Sequence, residues 1–184
     1  MITGEHAHIR MADVDDAEKL CACYRGSRLQ AACLDARREP FQPTGDEFRE
    51  MLGKSAPQGM RFFAVEDHVG VIRAFCSLRS SQHLTPFAEV AFLFEEEDTL
   101  DEPVADDLFA FLCDRVFMQQ RLHKLVGHCL SGETAMRDYL TRHGFSSQGV
   151  QREVLFAQGR WHDIEAMALL SKDAAWTPLG ARKG

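Results

Sequence analysis

The chain has 184 residues, 45% of them hydrophobic and 27% charged, which is long enough for one domain with its own core and ordinary for a globular protein. With 28 acidic side chains against 21 basic ones the formal net charge is −7, which argues against a nucleic-acid partner, because that needs a positive surface. No apolar run approaches the roughly 20 residues that span a bilayer, so a membrane partner is not expected either.

The first ten residues, MITGEHAHIR, hold no apolar signal core, and the chain reads as unexported and cytoplasmic. The six cysteines, Cys21, Cys23, Cys33, Cys76, Cys113 and Cys129, all sit inside apolar patterns. In such a compartment they read as reduced, buried small hydrophobes. No Cys-x-x-Cys pair supports a zinc knuckle, and Cys21 and Cys23 point to different sides of a helix, so no metal is expected.

His8 to Met11 reads as a short strand. Asp13 follows as a helix N-cap, with Asp16 as a short-armed capping-box partner, and Ala17, Leu20, Cys21 and Tyr24 recur at helical spacing up to Gly26. A second helical piece runs from Leu29 to Arg37 and is broken by Pro40 and Pro43. Thr44 with Glu47 forms a fuller capping box, and Phe48, Met51 and Leu52 give the apolar side of a third short helix. Gly53 to Gly59 reads as a loop.

The period then changes to two. Arg61 to Glu66 and Val69 to Leu78 read as strands joined in a hairpin at Asp67-His68. After a polar loop at Ser80 to Pro86, Phe87 to Glu95 is a strong strand. A helix from Pro103 to Gln120 follows an acidic turn, with Asp101 as N-cap, proline in its first turn, and Leu108, Phe109, Leu112, Val116 and Phe117 inward. Lys124 to Cys129 is a strand. Thr134 to His143 is a helix stopped by Gly144, where His143 suits the negative helix end. Gly149 to Ala157 and Asp163 to Leu170 form a last hairpin. The reading is an α+β fold with a mixed, mostly antiparallel sheet and helices on both faces, one domain over residues 1–176 and a loose tail over 177–184.

The segment LHKLVGHCLSGETAMRDYLTRHGF, then Gln148-Gly149-Val150-Gln151-Arg152, then Gly159-Arg160-Trp161-His162-Asp163 and Trp176, resembles the C-terminal half of a GNAT-superfamily N-acetyltransferase. The similarity is to the branch that includes the ribosomal-protein N-terminal acetyltransferases. The front half, HIRMADVDDAEKL and later FFAVEDHVGVIRAFCSL, resembles that family's first strand, paired helices and following hairpin. The resemblance implies acetyl-CoA as cofactor, its pantetheine arm lying between the strand at 87–95 and the strand at 124–129. The backbone of Phe92, Leu93 and Phe94 would hold the arm, and an amine-bearing small molecule or peptide would be the acceptor. It also implies that the turn after Glu95 wraps the pyrophosphate with backbone N–H groups at a helix N-terminus.

Aligned on Phe117 and Leu122, the family's Arg-Gly-x-Gly falls on Leu100-Asp101-Glu102-Pro103. Two of these carry negative charge, and Pro103 lacks an N–H. Glu95, Glu96, Glu97, Asp98, Asp106 and Asp107 surround them, with no Lys or Arg from Glu95 to Phe111. Two like charges about 4 Å apart repel by about 1 kcal/mol in water and more near a protein surface, so weakened cofactor binding is expected from this degenerate loop. The family's CoA-contacting Asn falls on Glu133 and its acid Tyr on Leu140, one position from Tyr139. Glu89 matches the carboxylate that some relatives use as a base.

The acidic run from Glu95 to Asp107 reads three ways: a solvated loop and helix cap, a surface for a basic partner, or a divalent-metal site without calcium-loop spacing. Two functional readings stay open. One is an acyl-CoA-dependent N-acyltransferase that acts on an amine by direct attack on the thioester, with Glu89 as base and Tyr139 as acid. The other is a repurposed GNAT-fold protein that binds a peptide, small molecule or partner subunit without acetyl-CoA. Edge strands and the last hairpin would allow a homodimer.

Overall fold

The computed structural model describes residues 1–26, 44–53, 60–81, 86–157 and 159–179. The helix expected from Leu29 to Arg37, with Cys33, lies outside them, as do parts of the two expected loops and Gln158. Eight strands run β1 (Ile2–Thr3), β2 (Ala7–Met11), β3 (Met60–Asp67), β4 (Ile72–Ser81), β5 (Phe87–Phe94), β6 (Lys124–Leu130), β7 (Ser146–Ala157) and β8 (Arg160–Leu170). They form one sheet in the order β1-β2-β3-β4-β5-β6-β8-β7. Every neighbouring pair is antiparallel except β5 with β6. That pair needs a crossover, and a helix supplies it. The helices among the described residues are α1 (Ala17–Gly26), α2 (Gly45–Gly53), α3 (Pro103–Cys113) and α4 (Thr134–Arg142).

Strand alternation sends successive side chains to opposite faces, and the two faces carry different helices. Ala64, Phe75 and Leu93 pack with Leu20, Cys21 and Phe48 of α1 and α2. Val65, Ala74, Cys76, Val90, Phe92 and Phe94 pack with α3 and α4 in the larger cluster. The expected mixed, mostly antiparallel sheet with helices on both faces is the one observed.

Both capping boxes form. Asp13 accepts from the Asp15 N–H at 2.9 Å while its own N–H donates to Asp16 at 2.8 Å. Thr44 and Glu47 exchange the same kind of bonds at 2.7 and 3.2 Å. Other expectations need correction. The β3–β4 turn takes in His68 to Val71, because the Asp67 carboxylate accepts from both the Val69 and Val71 N–H groups and Gly70 adopts φ +83°. The N-cap of α3 is Glu102, not Asp101, since Glu97–Asp101 winds into a 3-10 turn of its own.

The long expected helix is α-helical only through Cys113. Asp114–Gln119 widens into a π turn, with the Gln120 N–H donating to the Arg115 carbonyl at 3.1 Å. From Val104 to Cys113 every residue of α3 except Asp106 is buried. The C-terminal segment adds to that cover. Trp176 Nε1 donates to Asp114 at 2.8 Å, and Leu179, beyond the expected start of the tail, is buried in the core.

Candidate functional site

β5 and β6 pair over four positions only, from Phe87 opposite Lys124 to Val90 opposite Gly127. Beyond them β5 stays on β4 as far as Phe94, and β6 stays on β8 as far as Leu130. Each strand keeps its outer partner while the two part from one another, and a notch opens between them.

On the α3/α4 face side chains of α4 pack along both sides of this notch. The ring of Tyr139 stands edge-on to Phe92 and Phe94, with centroids 5.6 and 5.7 Å away, and its hydroxyl donates to the Ala105 carbonyl in the first turn of α3 at 2.9 Å. Tyr139 is 2% exposed, and burial pushes its phenol well above the usual value of 10. Leu140 is fully buried and lies over Gly127, where an added Cβ would come within 3.4 Å of it. Both residues therefore face inward, Tyr139 toward β5 and α3, Leu140 toward β6. The hydroxyl expected to act as an acid is here a donor to a main-chain carbonyl. Phe92, Leu93 and Phe94 are 5%, 1% and 1% exposed and belong to the core.

The turn after β5 winds inward on itself. The Thr99 N–H donates to Glu96, Glu102 to Thr99 and Ala105 to Glu102, while Leu100 is buried. Cations absent from this stretch of sequence arrive from elsewhere. Lys19 pairs with Glu95. Arg73 bonds Glu102 at 2.7 Å and lies 3.7 Å from Glu95. Arg142 reaches Asp101 at 2.9 Å and the Leu100 carbonyl at 2.7 Å. Glu133 occupies the N-cap position of α4, and its carboxylate accepts from the Leu130 N–H at 3.4 Å.

Asp107 departs most from the solvated reading of the acidic run. It is fully buried and accepts from the His6 and Ala7 N–H groups at 2.6 and 3.0 Å. His143 also departs from expectation. Its ring is stacked on Phe109 at 4.0 Å, and Nε2 lies 3.2 Å from Asp106 but is not aligned for a hydrogen bond. Burial, opposed by Asp106, pulls its pKa from 6.5 to about 4, so it is neutral near pH 7 and adds no charge to the helix end.

Glu89 lies on the other face. It alternates with Ala88 and Val90 of the large cluster and so points to the α1/α2 side. Arg79, directly opposite on β4, grips one of its oxygens through Nε at 2.9 Å and through Nη2. His128 on β6 shares that face. Burial lowers its pKa from 6.5, with Glu89 opposing and Arg79 assisting the shift. The expected base and acid, Glu89 and Tyr139, thus lie on opposite faces of the sheet. Sequence reasoning placed His128 on a strand but not beside Glu89. Its one usable signal was strand parity, and Arg142 left none. Among the described residues no cluster of His, Cys, Asp or Glu suited to a metal ion forms, and no helix is long and apolar enough to cross a membrane.

Three kinds of comparison bear on this architecture. The spermidine N-acetyltransferase of Vibrio cholerae, crystallised in complex with CoA and spermine, superposes with a TM-score of 0.74 at 19% identity, covering 91% of this chain and 96% of that one. A GNAT-family acetyltransferase from Bacillus anthracis gives 0.74 at 15% identity, covering 93% and 98%. At such identities the likeness is one of fold. A search of curated proteins by sequence finds no match. The family model described as an acetyltransferase (GNAT) domain matches residues 9–165, most of the chain and every element from β2 to β8. The chain belongs to the GNAT acetyltransferase family.

Proposed function

We propose that this is a GNAT-fold protein that recognises an amine-bearing ligand on the Glu89 face, and that the slot its relatives use for CoA is closed. The carrying observation is Tyr139, whose ring packs on Phe92 and Phe94 along the β5 side of the notch and whose hydroxyl is tied to Ala105. The turn at the start of α3 does not fit a pyrophosphate. Pro103 offers no N–H, the Glu102 and Ala105 amides are spent on carbonyls, and Asp101 and Glu102 put carboxylates where an anion would sit. Arg142 and Arg73 offset those charges, and both are engaged by them.

A second reading, an acyl-CoA-dependent N-acyltransferase, is favoured by the parting of β5 from β6 after Val90 and by the CoA bound to the Vibrio cholerae enzyme of the same fold. It requires room for the pantetheine arm beside Tyr139, and it would use the Glu89 oxygen that Arg79 does not hold, since Arg79 grips only one of the two.

Calorimetric titration of acetyl-CoA into the full chain separates the two. The expected result is no binding by the wild type up to about 1 mM, and measurable binding by a variant combining Leu100→Arg, Asp101→Gly, Pro103→Gly and Tyr139→Ala. Micromolar binding by the wild type would overturn the closed slot.

A further inference from the structure

We propose that Arg79, Glu89 and His128 form a recognition site for the zwitterionic head group of an amino acid, Glu89 taking the ammonium and Arg79 the carboxylate. This deepens the reading above by naming the ligand class for the Glu89 face.

The placement follows from register. Arg79 lies opposite Glu89, and Glu89 opposite Val126. His128 is two residues past Val126 and returns to the same face. Val90 and Gly127 are the last paired residues of the parallel seam, so Ala91 and His128 are the first beyond it, at the apex of the notch. Around them the same face carries small side chains, Ser77 opposite Ala91 and Ala166 opposite His128. A charged rim therefore borders a stretch of small side chains on this face.

The ion pair itself selects the ligand. The Arg79 and Glu89 side chains are 46% and 28% exposed, and a pair so open to solvent contributes little, so a ligand can part it at small cost. A simple amine that takes Glu89 strands the Arg79 guanidinium, and a simple carboxylate that takes Arg79 strands Glu89. A ligand carrying both charges replaces both halves of the pair at once, with the guanidinium fork matching a carboxylate in bidentate fashion. The His128 ring makes no hydrogen bond among the described residues. Its depressed pKa keeps it neutral near pH 7, leaving it one N–H donor and one acceptor for the ligand's remaining lone pair or proton.

The test is calorimetry on the full chain with each of the common L-amino acids. The comparison ligands are spermidine and the matching decarboxylated amine and deaminated acid of whichever amino acid binds best. The expected result is that an amino acid binds and that its single-charge counterparts and spermidine bind at least about tenfold more weakly. Arg79→Met and Glu89→Gln should each weaken binding about tenfold or more, and His128→Gln by about threefold. The double exchange Arg79→Glu with Glu89→Arg should recover much of the loss, because it restores the pair with the charges reversed. That recovery separates lost recognition from lost folding.

Absence of binding by every amino acid up to about 10 mM would overturn the proposal, as would spermidine binding as tightly as the best of them or an unchanged affinity in Arg79→Met. Acetyl-CoA binding by the wild type would refute the closed slot and leave this site standing. Loss of amino-acid binding alone would do the reverse.

Discussion

Moving a tyrosine one place along a helix turns it by about 100°. In α4 that rotation takes the phenol from the β6 side of the notch, where Leu140 now covers Gly127, to the β5 side, where it meets Phe92, Phe94 and the Ala105 carbonyl. One turn further along, His143 lies stacked on Phe109 with its folded-state pKa drawn down to about 4. The unfolded chain then binds its proton more readily than the folded one, so stability rises with pH across that interval. The contribution is fully present above about pH 6.5 and is lost as the pH falls toward 4. The loss is on the order of 2–3 kcal/mol. Urea unfolding at pH 7 and pH 4 checks this: His143→Phe keeps an aromatic ring on Phe109 and removes the titrating group. The wild type should lose more stability than the variant over that range, and equal losses would show that burial does not hold His143 neutral.

At the scale of elements, the acidic stretch after β5 divides into two jobs that its composition alone could not separate. Glu95, Asp101 and Glu102 face outward to Lys19, Arg142 and Arg73. Asp107, one turn into α3, faces inward and binds the turn between β1 and β2 through the His6 and Ala7 N–H groups. Gly4 is part of the same clamp, because a Cβ there would come within 2.3 Å of the Asp107 carboxylate. Asp107→Asn preserves the shape and weakens the acceptor. It should cost about 1–3 kcal/mol and speed hydrogen exchange at the Ala7 amide well beyond that of the sheet centre. Exchange at Ala7 unchanged in the variant would mean that the clamp does not hold β1 and β2 to the helix.

Across the whole molecule, two helical layers share one sheet, and each layer seals a face the other cannot reach. Phe75 belongs to the cluster under α1 and α2, and Phe94 to the one under α3 and α4. The strands that carry them are hydrogen-bonded neighbours, so loss of either layer exposes the same backbone ladder. Phe75→Ala and Phe94→Ala should each cost about 3–5 kcal/mol and lower one common calorimetric transition. A second transition appearing in only one variant would mean that the two layers melt independently.

Much of this architecture was legible in the chain. Period-two runs at 61–66, 87–95 and 163–170 mark strands because alternation is how a strand buries one face. Asp13 with Asp16 and Thr44 with Glu47 mark helix starts because the orphan amides there need acceptors. Their order pointed to the family that the match over residues 9–165 shows.

The candidate site was legible only in part. Glu89 and Tyr139 could be picked out by position, but not that Arg79 holds the one and Ala105 the other. Local sequence carries secondary structure because propensity, capping and periodicity are short-range effects. Which charge meets which is set by the fold: Arg142 reaches Asp101 across 41 positions, Arg73 reaches Glu102 across 29, and Asp107 meets His6 across 101. An acidic run with no basic residue in it is thereby balanced by cations that only chain folding brings near, and a notch implied by strand order is flanked by a ring whose direction depends on how α4 packs.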